Sequence, residues 1–184
     1  LQRSLSSNNN NINNNAVGAG ASAIDGVGGG EKDAGARGCC LEVVAGGLAL
    51  VDSSTFLGPC AYGVFVHPLG RANLQKCRIK GTSAAGVTCA GSITMQLCDV
   101  ENPGAVGIGV VGEAIGMVRR CIVKGAGDCG ILVQDMARGT WTGNEVYNCG
   151  LAGVAISSIH PEAIFRVTTS CDNVEAGMLI YGGG

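Results

Sequence analysis

The chain has 184 residues, enough for one domain with a real core. Glycine accounts for 32 residues and cysteine for 10, only 4% are aromatic, and the formal net charge is −2. The 12 basic residues are spread out, with only Arg119 and Arg120 adjacent, which argues against a nucleic-acid partner. No apolar run approaches the ~18 residues of a spanning helix, so no membrane partner is expected.

Residues 1–37 come first and are low in complexity. Asn8 to Asn15 is a polyasparagine run broken by Ile12, and Gly/Ala segments with Gly28-Gly29-Gly30 follow. Such a composition buries too little apolar surface to offset chain entropy, so a disordered linker is expected.

Residues 38–184 follow a different rule. Leu41-Glu42-Val43 opens an array of short apolar strands. Six more each start on a glycine: Gly63-Val64-Phe65-Val66, Gly86-Val87-Thr88-Cys89, Gly107-Ile108-Gly109-Val110, Gly130-Ile131-Leu132-Val133, Gly153-Val154-Ala155-Ile156 and Gly177-Met178-Leu179-Ile180. These glycines recur every 21–24 residues, a period that marks a solenoid. Between them runs a second pattern, apolar-x-x-Cys/Asn-x-apolar-x-Gly/Asn. It places Cys77, Cys98, Cys121 and Asn144 at one repeat position. An earlier copy fits through Val51, Ser54, Phe56 and Gly58. The last copy fits through Ile164, Val167, Thr169 and Cys171 with one residue inserted before Gly177.

A leucine-rich repeat shares this period but pairs a strand with a helix or helical turn. Here no segment sustains a 3.6-residue apolar stripe, and the apolar runs are β-branched. The reading is an all-β parallel β-helix of about seven coils, with rungs about 4.8 Å apart. Glycines between the strands are expected to supply the positive φ of sharp corners.

The run Asn144-Glu145-Val146-Tyr147-Asn148-Cys149-Gly150-Leu151-Ala152-Gly153-Val154-Ala155-Ile156 resembles the right-handed parallel β-helix repeat of the pectin-lyase-like superfamily. It is closest to the repeats of a β-helical F-box protein and of periplasmic copper-site maturation proteins. The resemblance implies a right-handed solenoid. It does not choose among lyases, hydrolases, epimerases and binding scaffolds, which all use that fold.

The cysteines admit a disulfide framework, a metal site or a reduced structural ladder. Cys77, Cys98 and Cys121 fall at an inward position on successive coils, where free cysteine packs as a small hydrophobe. In-register neighbours rarely meet disulfide geometry, so the reduced ladder is favoured, and a reducing compartment with it. Cys39-Cys40 fits that account least well. There is no Cys-x-x-Cys, and His67 and His160 are remote from any cysteine, so zinc is disfavoured.

Other motifs carry little chemistry. Gly107-Ile108-Gly109-Val110-Val111-Gly112 matches Gly-x-Gly-x-x-Gly, but a nucleotide site needs a following helix, and none is patterned there. Arg78-Ile79-Lys80 resembles a substrate-binding motif of polygalacturonases, yet the acidic and histidine motifs of those enzymes are missing, and no paired carboxylates appear. Asp52, Asp99, Asp128 and Asp135 fall on different columns or distant rungs, which disfavours calcium. His67 has no evident partner to orient it as a base, and Trp141 reads as core. No catalytic, cofactor-binding or metal-ligating residues are assigned, and no cofactor is expected.

By repeat register Lys80, Glu101 and Lys124 share one outward column, and Arg78 stacks on Asp99. With Glu145 they form the candidate interaction face: Arg78, Lys80, Asp99, Glu101, Lys124 and Glu145. The expected function is a non-catalytic scaffold that binds a protein partner within a larger intracellular assembly. The polyasparagine and Gly/Ala bias resembles that of green-algal proteins, which implies a cytoplasmic part, in the ciliary axoneme. The alternative is a carbohydrate-active or glycan-binding β-helix, with its enzymatic motifs outside this chain. The start at Leu1 and the end straight after a strand read as a fragment or processed product with further coils, or a partner, beyond.

Overall fold

The structure, a computed structural model, describes residues 21–22, 38–158, 163–166 and 168–181. Most of the expected 1–37 linker, with Val167 and His160, lies outside the described residues.

Among the described residues there are strands and turns and no helix. The strands form three sheets that run the length of the molecule. The first contains Ala21–Ser22, Cys39–Val43, Tyr62–Val66, Ala85–Cys89, Ile108–Val110, Ile131–Asp135, Ala152–Ser158 and Ala176–Ile180, in that order. The second contains Leu48–Asp52, Arg71–Gln75, Ser92–Gln96, Ile115–Arg119, Arg138–Thr142 and Ala163–Arg166. The third contains Thr55–Leu57, Arg78–Lys80, Asp99–Glu101, Ile122–Lys124, Glu145–Tyr147 and Thr169–Cys171. Each coil contributes one strand to each sheet. Six coils are complete, and Ala176–Ile180 opens a seventh.

All pairings between coils are parallel, as the repeat requires. The exception is Ala21–Ser22, which pairs antiparallel with Cys39–Val43 and covers part of the edge that the first coil would otherwise present.

The core is a column of like side chains. Leu41, Val64, Val87, Ile108, Ile131 and Val154 stack from the first sheet, and Val51, Leu74, Met95, Val118 and Trp141 from the second. All of these are at most 5% exposed. Each fully buried branched side chain contributes about 1.5–3 kcal/mol, and the period keeps every one in register.

The strand-opening glycines have a different reason from the one expected. Gly63, Gly86, Gly107, Gly130, Gly153 and Gly177 are absent from the positive-φ positions. They face inward against the third sheet. A Cβ on Gly63 would stand 2.3 Å from Ile79 Cγ2, one on Gly86 2.4 Å from Val100 Cγ1, and one on Gly107 2.3 Å from Val123 Cγ1. Space, not backbone conformation, selects glycine at the first five; at Gly177 the nearest atom to such a Cβ is the Ser170 carbonyl oxygen at 3.4 Å, an ordinary contact.

Positive φ belongs to the corners. After each third-sheet strand beyond the first coil stands Gly81, Asn102, Gly125, Asn148 or Asp172, all left-handed and of the residue types that tolerate it. Between the second and third sheets the left-handed residue is Ser53, Lys76, Leu97, Arg120 or Gly143. The next residue, Ser54, Cys77, Cys98, Cys121 or Asn144, then turns inward and is buried.

The last coil departs by one residue from the expected register. Trp141 pairs with Phe165, not Ile164, and the rings stack at 4.8 Å. Val146 pairs with Ser170, so Ile164, Thr169 and Cys171 point outward and are exposed. The extra residue therefore lies before this copy rather than after it. A one-residue slip in a strand moves every side chain to the other face.

Candidate functional site

The third sheet carries the expected charged ladder. Arg78 pairs in register with Asp99, and Glu101 lies between Lys80 and Lys124. Lys124 Nζ is 3.2 Å from Glu101 Oε1 and Lys80 Nζ is 3.5 Å from Oε2. Arg78 reaches Asp99 at 3.8 Å and Glu101 at 3.9 Å. The hydrogen bond from Lys124 holds the Glu101 carboxyl below its ordinary pKa, with Lys80 adding to the effect and partial burial opposing it. Glu145 sits opposite Ile122, one coil beyond these ion pairs. Exposed pairs of this kind contribute up to about 1 kcal/mol each. They fix register and leave little charge over for a partner.

Three other readings are settled by position. Gly107 fills the repeat-glycine place, and the chain goes from Gly112, a turn residue at φ 68°, into the strand Ile115–Arg119. No helix follows to hold a pyrophosphate. Trp141 is 0% exposed and offers no platform to a sugar. His67 does have a partner: its Nε2 is 2.5 Å from Glu42 Oε1, on the preceding coil, and its ring lies 4.8 Å from that of Phe65. Sequence separation hid the carboxylate, because a full turn of the solenoid separates the two along the chain.

All ten cysteines are free thiols. Cys77, Cys98 and Cys121 form the buried column with Asn144. Asn144 Oδ1 accepts the Cys121 N–H at 3.0 Å, and the Cys121 sulfur accepts that of Cys98 at 3.4 Å. Burial pushes the Cys89 thiol up to about 11, so it stays neutral. Among the described residues no group of three His, Cys, Asp or Glu side chains is placed to hold a metal.

The second sheet holds a feature that sequence reasoning passed over. Arg119, Thr142 and Arg166 share one outward column on three successive coils. Arg120 projects beside them from the corner. These residues, with Gln96, Thr140 and Gly143, line a half-open groove of about 480 Å³. Gly143 has no side chain to close the groove at this corner; a Cβ there would meet Arg120 Cγ at 3.6 Å. Among the described residues no carboxylate comes within 4.0 Å of the Arg119, Arg120 or Arg166 guanidinium groups. The basic residues are therefore less dispersed in space than along the chain.

A family model described as "Right handed beta helix region" matches residues 39–184. The chain belongs to that family. No curated protein and no solved structure matches it. The right-handed β-helix family holds both enzymes and non-catalytic proteins, so membership fixes the fold and leaves the chemistry to the site. On this β-helix the two outward faces differ in kind. The third sheet pairs its own charges, while the second presents cationic groups with no carboxylate partner among the described residues.

Proposed function

We propose that this β-helix domain is a non-catalytic scaffold that docks an acidic segment of a protein partner in the arginine groove of its second sheet. The observation that carries this reading is the convergence of Arg119, Arg120 and Arg166 on one groove without a neighbouring carboxylate among the described residues. Guanidinium groups bind carboxylates through bidentate hydrogen bonds, and their charge steers association. The sheet holds Arg119 and Arg166 two rungs apart, with Arg120 beside Arg119 at the corner, which suits an extended acidic strand laid across the coils.

The test is photo-cross-linking from Thr140 in native extract. A defined protein with an acidic contact peptide is expected, with a yield that falls as salt rises. The triple variant R119E/R120E/R166E should weaken binding by roughly tenfold or more. Arg78→Glu on the third sheet should leave it unchanged. Binding that survives the triple reversal would sink the proposal.

A second reading is favoured by the polar columns beside the groove. Asn73 and Thr94 lie in register, with Thr140 beyond Met117 in the same column, and Gln75 and Gln96 lead up to Arg119 and Thr142. Such ladders also suit sugar hydroxyls, so the same cross-linking in the presence of acidic and neutral glycans decides the matter. Displacement of the protein cross-link by neutral glycan would favour a carbohydrate-binding β-helix.

A further inference from the structure

The first coil contains a thiol pair unlike the buried ladder. Cys40 lies in the strand Cys39–Val43, and Cys60 lies in the corner that leads into Tyr62–Val66. Their sulfurs are 2.8 Å apart, with no atom between them, at positions 20 residues apart in sequence. Both are half-buried, whereas Cys77, Cys89, Cys98, Cys121, Cys129 and Cys149 are buried. They are not in-register neighbours of parallel strands. One is in a strand and the other in a turn, so the objection to disulfides between stacked rungs does not apply to them.

The pair is also chemically unequal. Either sulfur can donate to the other; an S–H donated by Cys40 lowers the Cys60 pKa, against the opposing effect of burial. Cys40 is pushed well above the ordinary thiol range by that same contact and by burial. An attacking thiol works best with a pKa near ambient pH, and the resolving thiol has only to stand beside it.

We propose that Cys40 and Cys60 form a reversible disulfide that staples the first coil shut. Cys60 thiolate attacks a small-molecule disulfide, forming a mixed disulfide and releasing one thiolate. Cys40 loses its proton and attacks the Cys60 sulfur, and the second small thiolate leaves. Two protein thiols are oxidised to one disulfide, one small disulfide is reduced to two thiols, and the two protons pass to the leaving groups. The bond joins the first strand of the coil to its closing corner. A solenoid opens most readily at its ends, so this is where a staple changes local opening most.

The test uses glutathione disulfide on the folded chain at mildly alkaline pH, then alkylation of free thiols and proteolysis without reduction. Cleavage after Phe56 or Leu57 separates the two cysteines. The expected result is one disulfide-linked peptide pair, retained in Cys39→Ser and lost in Cys60→Ser. Hydrogen exchange over Cys39–Leu57 should slow on oxidation and recover on reduction. Cys40 and Cys60 both found alkylated would overturn the proposal, as would a link that disappears in Cys39→Ser. Unchanged exchange over the first coil, with the bond formed, would overturn the staple.

Discussion

Asn144 is 0% exposed and carries a full amide in an otherwise apolar column. Its Oδ1 accepts the Cys121 N–H, and its Nδ2 donates to the Val118 carbonyl at 3.1 Å. The Cys121 N–H lies at a corner between strands, whereas the Val118 carbonyl belongs to the strand Ile115–Arg119. On the neighbouring coils cysteine performs a weaker version, since sulfur is a poor acceptor. Asn144→Ala leaves the buried Cys121 N–H unpaired, and should cost about 1–3 kcal/mol. Asn144→Cys, which restores the residue type of the preceding coils, should fall between alanine and wild type. Urea midpoints of the three proteins check the order, and equal midpoints would refute it. The inward position of this column was legible from its period. The left-handed residue ahead of it was not. Ser53, Lys76, Leu97 and Arg120 are not types that signal positive φ, whereas Gly81, Asn102 and Asn148 at the other corner signal it openly.

At the scale of strands, the repeat glycine is a packing element. A Cβ on Gly86 would meet Val100 Cγ1 at 2.4 Å and the Gly107 carbonyl oxygen at 2.7 Å. The Val100 side chain can be trimmed by substitution, while the Gly107 carbonyl accepts the Val87 N–H in the ladder and cannot. Gly86→Ala should therefore destabilise the domain by about 1–3 kcal/mol, the usual range for overpacking. Adding Val100→Ala should recover part of that loss and not all of it. A double-mutant cycle in urea measures the coupling, and strict additivity would show that the two positions do not meet. The glycine period was legible because the contact recurs on five successive coils, at Gly63, Gly86, Gly107, Gly130 and Gly153. Its cause was not, because a sequence records that a side chain is missing without saying whether φ or space forbids it. The last coil shows a related gap. Its register turns on Phe165 facing Trp141, a stacking that no period displays.

At the scale of the molecule, the fold was legible and the groove was not. Solenoid period is a local, repeated signal. The arginine groove joins Arg119 and Arg120 to Arg166, two coils further on, and nothing in the local pattern ties them together. The same one-dimensional architecture sets how stability is distributed. Each coil contacts only its neighbours, so internal coils are held on two sides and terminal ones on one. In the chain of 184 residues the strand Ala176–Ile180 rests on Ala152–Ser158 alone among the described strands. Its core-side Met178 and Ile180 are 46% and 69% exposed, against 0% for Val110 in the middle of the stack. Cys39–Val43 stands between these extremes, because Ala21–Ser22 covers part of its edge. Native-state hydrogen exchange under reducing conditions should therefore release Ala176–Ile180 first, Cys39–Val43 next and Ile108–Val110 last. If all strands exchange together at one rate, the coils unfold as a single cooperative unit. Nearest-neighbour contacts would then not be what sets the stability of this β-helix.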